Sequence, residues 1–343
     1  MRVPLPHSRF LRVLLVVVPL VALVALAVWR GPDLGVVDRA FRAVRWEWVA
    51  AAVLINLFSV VVRAQAWRIV ITHAMPPPWP TRRLVFSAFC VGLLANAALP
   101  GRVGELARVA VLTRHVRRRP GTWATITGTV FTHRLYDVVV ALGLVVYVLY
   151  RARIPDWAVP GLAIAIGIGV GFLIAGVLLA RRQHRPVTEG LGPARRLLRM
   201  ARHGLTVLRR PVPALQALFF QLVGWTAQLF AVYTAFLAFG VEPSIPAAAL
   251  VLVIMNLVMV FPFWPGNVGL VQAAVALALL RYGEPYGEGF LYGVGLQAIE
   301  VSVGVGLGLV FLAREGFSFA MLRRMPEVTE VEIDEDDRVE RIA

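Results

Sequence analysis

Seven ionisable side chains lie inside long apolar segments of this sequence, where a charge is costly and usually serves a function. Asp137 lies three residues after Arg134 and four after His133, so a helix would place all three on one face. Arginine is a planar, permanently charged donor that suits phosphate, and carboxylates can orient it. The pattern predicts an intramembrane site for an anionic group, with charges that only hold helices together as the alternative. The seven residues are Arg63, Arg102, Glu105, Arg108, Arg134, Asp137 and Glu300.

Two apolar segments, 84–112 and 246–280, are interrupted by nearly the same residues: Pro-Gly-Arg-Val-Gly at 100–104 and Pro-Gly-Asn-Val-Gly at 265–269. Proline lacks a backbone donor and glycine tolerates unusual dihedral angles, so both breaks predict non-helical backbone. Paired breaks in two halves of a chain indicate a transporter's binding site, and helix ends there favour an anion. Together with His133, the breaks supply these predicted substrate-binding residues: Pro100, Gly101, Arg102, Gly104, Pro265, Gly266, Asn267, Gly269 and Gln272.

The composition predicts an all-α polytopic membrane protein, because 59% of the 343 residues are hydrophobic and only 16% are charged. A spanning helix needs about 20 apolar residues. Six segments satisfy that length: 10–29, 48–72, 122–150, 157–180, 214–239 and 288–313. The first also resembles a signal peptide, but we predict a retained span because the chain after it is itself membrane-embedded. The two broken segments are predicted to form re-entrant hairpins.

The chain contains arginine but no lysine, and its arginines are distributed unevenly among the loops. With the N-terminus placed in the cytoplasm, 21 arginines fall in inner loops and seven in outer ones. The positive-inside rule therefore predicts a multi-pass protein of the cell (cytoplasmic) membrane with both termini cytoplasmic. Because the net charge of +15 is spread over these loops, it does not indicate a nucleic-acid partner.

The order span, span, hairpin, span occurs twice along the chain. Three crossings are an odd number, so the second half is predicted to lie upside down relative to the first. The predicted membrane domain is 1–324, with repeat one at about 10–150 and repeat two at about 157–313. An arginine-rich linker at about 181–212 is predicted to be an amphipathic helix whose 181–210 segment binds anionic inner-leaflet lipids, with a solvated linker as the alternative. The acidic tail 325–343 is predicted to be disordered.

Several amides also lie in apolar segments and could line a path, although hydrogen bonding between helices is the alternative explanation. His133 could carry protons or, as the favoured interpretation, bond to Asp137. Cys90 is a lone cysteine, and the sequence has no P-loop, zinc motif or nucleophile motif, so we predict no cofactor, metal or catalytic residue. The amides are Asn56, Gln65, Asn96, Gln221, Gln228, Asn256, Gln272 and Gln297.

Three motifs resemble the membrane region of the lysylphosphatidylglycerol synthase/flippase family, over about residues 10–313. They are Leu-Pro-Gly-Arg-Val-Gly-Glu-Leu-Ala-Arg at 99–108, Thr-His-Arg-Leu-Tyr-Asp at 132–137, and Phe-Pro-Phe-Trp-Pro-Gly-Asn-Val-Gly at 261–269. The chain differs at Asn267, where glycine is common in the family, and at Gln272, where many members have glutamate. The resemblance implies lipid translocation or a role in lipid or glycolipid synthesis. The soluble aminoacyl-transferring domain of the fused members is expected to be absent.

Together these observations predict a flippase-like lipid transporter rather than an enzyme. Its substrate would be a membrane lipid or lipid-linked molecule with an anionic or phosphate-bearing headgroup. Two alternatives remain open: a membrane-embedded transferase that acts on a lipid carrier, and a non-transporting protein whose partners are lipid-synthesis enzymes. A transferase would need Glu105 and Asp137 close together.

Overall fold

The computed structural model describes residues 43–98, 103–116, 122–181, 207–208, 210–242, 244–260 and 265–314. These residues are helical, with no strand among them, and the helices lie in the unit that begins at Arg45. Two short 3₁₀ turns, Pro265–Asn267 and Leu280–Tyr282, lie before and after the helix Leu270–Leu279. The helices are α1 (Trp46–Ala74), α2 (Arg82–Ala98), α3 (Gly104–His115), α4 (Thr122–Arg151), α5 (Ala158–Arg181), α6 (Pro211–Phe239), α7 (Ile245–Val260), α8 (Leu270–Leu279) and α9 (Tyr286–Arg314).

Five of these helices, α1, α4, α5, α6 and α9, are long and apolar enough to cross a membrane. They coincide with five of the six predicted spans, which confirms an α-helical polytopic membrane protein. The helix ends follow local rules: α6 has Pro211 at its first position, and Gly240, whose φ of 72° suits glycine, caps its C-terminal end. The predicted first span 10–29, most of the linker 181–212 and the tail 325–343 lie outside the described residues.

Each predicted break separates two shorter helices that pack against each other as a hairpin, α2 with α3 and α7 with α8. At the second break Gly266 and Gly269 have φ values of 67° and 90°, and Asn267 has a φ of 45°. Asparagine is among the few non-glycine residues that tolerate this region, which explains how it can stand where glycine is common. At the first break, residues 99–102, including Pro100, Gly101 and Arg102, lie outside the described residues.

The two hairpins approach α9 from opposite ends. Along α9, Phe86 of α2 contacts Phe311, and Leu93 lies opposite Gly304, so α2 runs towards the middle of α9. In the other half of α9, Ala276 lies opposite Gly289. The connecting segment of the second hairpin, at Gly266, reaches Gln297. The ends of both hairpins therefore meet near the centre of α9, where α2 also contacts the Pro265–Asn267 turn.

Helices α1 and α6 pack along each other in antiparallel orientation. The Arg45 N–H donates to the Ala238 carbonyl oxygen at 3.0 Å, and the Ser59 hydroxyl donates to the Gly224 carbonyl oxygen at 2.8 Å. Apart from the contacts of α5, the other helix pairs in contact are α1 with α2, α4 and α9; α2 with α3 and α9; α3 with α4; α4 with α6 and α7; α6 with α7 and α9; α7 with α8; and α8 with α9.

Replacing Gly104 with alanine should destabilise the first hairpin. A Cβ at this position would overlap the carbonyl oxygen of Gly92, which belongs to the facing helix and cannot rotate away. Overpacking of this kind costs about 1–3 kcal/mol. At Gly306, inside α9, a Cβ would meet no atom within 4 Å. Gly306→Ala should therefore stabilise by roughly 0.4–1 kcal/mol, and unfolding in detergent should show opposite signs for the two variants. Equal signs would contradict the close packing of α2 on α3.

Candidate functional site

Asp137 is the centre of a network that joins three long helices. The residue lies at mid-length on α4 and is 6% exposed. One carboxylate oxygen accepts from Arg63 of α1 at 3.1 Å, from the indole N–H of Trp225 of α6 at 3.0 Å, and from Gln221 of α6. The other oxygen accepts from Arg134 at 3.1 Å, so the pair predicted from the i, i+3 spacing is present. Four donors around one carboxylate fix its position and those of the two guanidinium groups.

Arg134 connects this network to the first hairpin. Its second terminal nitrogen donates to Glu105, which lies in the first turn of α3. A carboxylate near a helix N-terminus also suits the helix dipole. Arg134 therefore bridges Glu105 and Asp137, and both carboxylates orient arginine in the way the sequence predicts.

Arg108, one turn after Glu105, has no such partner. It is 2% exposed, and its Nε and Nη1 atoms have no hydrogen-bond partner among the described residues. No carboxylate of those residues forms an ion pair with it. Its guanidinium lies 4.0 Å from the Phe89 ring centroid and 5.8 Å from that of Trp67. Cation–π contacts return only about 0.5–2 kcal/mol each, less than the several kcal/mol that burying a charge costs. Arg108 is thus a buried cation that no carboxylate of the described residues contacts directly, although Glu105 and Asp137 lie near enough to act on its charge.

A cavity of about 300 Å³ lies where the hairpin ends and the long helices meet. Arg63, Arg108 and Arg134 reach it from three different helices, and Glu300 reaches it from the centre of α9. Neutral polar side chains and apolar groups complete the wall. These are Asn56, Val60, Leu93, Asn96, Ala97, Trp225, Gln228, Asn256, Met259, Gly266, Asn267, Val301 and Gly304.

Glu300 differs from the other carboxylates of the site because no arginine holds it. Its Oε1 accepts from Gln228 of α6 at 2.7 Å. Within the described residues no cationic side chain lies within ion-pair distance of it. The cavity therefore combines a cluster of arginines with one carboxylate that has only a neutral partner.

The second hairpin is held by a chain of amides. The Gly269 N–H donates to the Gln272 oxygen at 2.6 Å, the Gln272 nitrogen donates to Gln297, and Gln297 donates to the carbonyl oxygen of Gly266. Asn267 closes the end of α7 by donating to the Val258 carbonyl oxygen at 2.9 Å. Because an amide both accepts and donates, Gln272 makes a link that a glutamate could not.

Two expectations about polar residues need revision. His133 does not bond to Asp137, because donors from other helices occupy that carboxylate. Both ring nitrogens of His133 are buried without a partner among the described residues, and its ring contacts that of Phe89. Gly104 does not need unusual dihedral angles but lies close to Gly92, and its N–H donates to Asn96 Oδ1 at 2.8 Å.

Aromatic residues that bind the charges were missed from the sequence, namely Trp67, Phe89 and Trp225. A signal existed for Trp225, which lies one turn from both Gln221 and Gln228 on one face of a span. Of the predicted site residues, the structure brings these to the cavity wall: Arg63, Arg108, Arg134, Gly266, Asn267 and Glu300. Glu105, Asp137, Gly269 and Gln272 do not line the cavity but belong to the hydrogen-bond networks that hold its arginines and the second hairpin. Pro100, Gly101 and Arg102 are outside the described residues.

Comparison with known proteins agrees with this picture of a membrane protein. Residues 10–308 match the family described as the lysylphosphatidylglycerol synthase TM region. The chain is also similar to a UPF0104 membrane protein of Methanothermobacter thermautotrophicus, with 27% identity over 293 residues, covering 79% of this chain and 83% of that protein. No solved structure matches the chain.

Proposed function

Since the chain belongs to the lysylphosphatidylglycerol synthase TM-region family, we propose that it moves a lipid with an anionic, phosphate-bearing headgroup between membrane leaflets. The observation that carries the proposal is Arg108, a buried guanidinium without an ion-pair partner among the described residues, at the wall of a cavity between the long apolar helices. An anionic headgroup would supply the missing charge. Arg63 and Arg134 would join it, held in place by Asp137 and Glu105.

Movement between leaflets requires access from both sides, which an inverted repeat provides. We propose that the chain is such a repeat, with hairpins entering from opposite sides. Support comes from the helix contacts. The repeat pairs α1 with α6, α2 with α7, α3 with α8, and α4 with α9. When each helix is exchanged for its counterpart, every contacting pair among these helices becomes a contacting pair again. The approach of the two hairpins from opposite ends of α9 agrees with this exchange.

The same proposal includes the cellular location and the membrane topology of the protein. It would lie in the cell membrane with both termini cytoplasmic, and its 181–210 segment would bind anionic inner-leaflet lipids. The transferase alternative required Glu105 and Asp137 to be close together, and they are, because both contact the Arg134 guanidinium. The same contacts occupy both carboxylates, which favours an orienting role over acid–base chemistry. A partner role towards lipid-synthesis enzymes stays a prediction.

The proposal is tested by reconstitution into vesicles with acyl-labelled lipids that differ only in headgroup. The panel contains an anionic phosphodiester lipid, a zwitterionic phospholipid and an uncharged glycolipid. We expect the anionic lipid to cross fastest, and Arg108→Gln to slow it by at least about tenfold, as expected when a charged partner of a buried contact is lost. Quenching of outer-leaflet label measures the rate.

A matched variant is Arg83→Gln, which removes an exposed arginine from the start of α2. It should transport like the parent. If no lipid of the panel crosses faster than in protein-free vesicles, the transport proposal is wrong. If the uncharged glycolipid crosses as fast as the anionic lipid, the anionic headgroup is wrong.

A further inference from the structure

Glu300 and Asp137 occupy corresponding places in the two halves of the fold but have different partners. Asp137 lies near the middle of α4 and binds Arg63 of α1. Glu300 lies near the middle of α9 and binds Gln228 of α6. Arg63 and Gln228 both lie 17 residues after the first residue of a 29-residue helix. A neutral amide therefore stands beside Glu300 where the other half has a permanent cation.

Among the described residues no cation forms an ion pair with Glu300 in place of that arginine, and Arg63 acts on it only from beyond ion-pair distance. Arg63 is directed to Asp137 at 3.1 Å, and Arg134 is shared by Asp137 and Glu105. Helix α8, which also packs on α9, contains no titratable residue. The polar and titratable groups around the shared cavity or next to Glu300 are Asn56 and Arg63 of α1, Asn96 of α2, Arg108 of α3, Arg134 of α4, Gln228 and Trp225 of α6, Asn256 of α7, Asn267 of the Pro265–Asn267 turn and Tyr292 of α9.

An anion in this cavity would bring a second negative charge towards Glu300. Two like charges in a site of low dielectric repel each other, and protonation of the carboxylate removes the repulsion. Gln228 can stay in place, because its N–H donates equally well to the carbonyl oxygen of a protonated carboxyl group. Asp137 is not suited to this role, because two arginines hold its charge.

Building on the proposed function, we infer that Glu300 takes up one proton when a phosphate-bearing headgroup binds, so that the cavity binds H⁺ and the lipid anion together. The proton comes from water and adds to a carboxylate oxygen, giving a neutral carboxyl group, and it leaves when the headgroup leaves. A phosphodiester with one negative charge plus one proton is a neutral load. Carried across together, the two couple lipid movement to a proton gradient. By linkage, acid strengthens lipid binding to the same extent that lipid strengthens proton binding.

The test is a binding titration of the full-length protein in detergent with a short-chain phosphatidylglycerol, in sodium-free buffer. A phosphodiester does not change its charge near neutral pH, so any pH dependence belongs to the protein. One proton taken up per lipid can change the affinity by at most about tenfold per pH unit. From about pH 8 to about pH 6 we therefore expect the affinity to rise by roughly 5- to 100-fold, within the usual range of coupling between two ligands. Calorimetry in buffers of different ionisation enthalpy should show uptake of about one proton per lipid.

Variants of Glu300 separate the inference from the proposed function. Glu300→Gln should bind as tightly at high pH as the parent does at low pH, without proton uptake, whereas Glu300→Asp should keep the pH dependence. The matched control is Glu288→Gln, an exposed carboxylate on the same helix, which should behave like the parent.

Unchanged pH dependence in Glu300→Gln would overturn the inference, as would binding of the parent that depends on sodium but not on pH. Binding that is independent of pH in every variant would overturn it while leaving the anion site intact. Failure of the parent to bind the phosphodiester at any pH would instead remove the proposed function, and the inference with it.

Discussion

Asp137→Asn should lower the free energy of unfolding by about 3–5 kcal/mol, the usual cost of removing one partner of a buried ion pair. The carboxylate accepts from two arginines, an indole and an amide. Asparagine keeps the shape but replaces one acceptor oxygen with a donor, which would face a guanidinium. Arg134 retains Glu105, so the arginine that loses its only carboxylate partner within the described part of the chain is Arg63. Denaturant titration in detergent micelles measures the loss.

The double variant Arg63→Gln/Asp137→Asn should recover part of that loss, because the stranded cation is removed together with its partner. Its coupling energy in a double-mutant cycle should be well above zero. Asp156→Asn is the matched control: its pair with Arg281 has a distance of 2.8 Å but is exposed, and such pairs contribute about 0–1 kcal/mol. A loss in Asp137→Asn no larger than in Asp156→Asn would contradict a buried network at the centre of the fold.

The breaks and spans could be predicted from the sequence because local rules determine them. A run of apolar residues longer than a membrane is thick predicts a span, and α1, α4, α5, α6 and α9 follow that rule. Proline and glycine predict where α7 must end, and the φ values at Gly266 and Gly269 show the physical reason. The position of Arg63, Arg134, Asp137 and Glu300 inside long apolar helices could be predicted for the same reason.

The partners of those charges could not be predicted from the sequence. Local spacing gives Arg134 with Asp137, but Arg63, Gln221 and Trp225 reach the same carboxylate from helices 74 to 88 residues away in the chain. The hydrogen bond predicted between His133 and Asp137 was wrong because it used the spacing within one helix alone. Packing of α1 on α4 brings Arg63 to Asp137, and packing of α6 on α9 brings Gln228 to Glu300.

Arg108→Met should stabilise the protein while removing its response to anionic lipid. Arg108 is buried against Phe89 and Trp67 without an ion-pair partner among the described residues. Methionine keeps the apolar stem and its contacts with the rings but removes the charge. Replacing buried charges with apolar side chains of similar volume often stabilises by roughly 1–4 kcal/mol. We therefore expect a higher Tm without lipid, and loss of the increase that anionic lipid gives the parent.

The two effects together separate a binding group from a structural one. A ligand at about 100 times its Kd stabilises the protein that binds it by about 2.7 kcal/mol, so the parent's Tm should rise clearly with an anionic phosphodiester lipid and not with a zwitterionic one. Arg83→Met, an exposed arginine on α2, should change neither Tm nor the lipid response. A lower Tm in Arg108→Met, with the lipid response kept, would mean that Arg108 serves packing through its aromatic contacts. The binding site would then have to be sought elsewhere in the cavity. A functional arginine instead leaves the protein less stable than it could be until the anion arrives, because the charge that destabilises the empty site is the one that holds the headgroup.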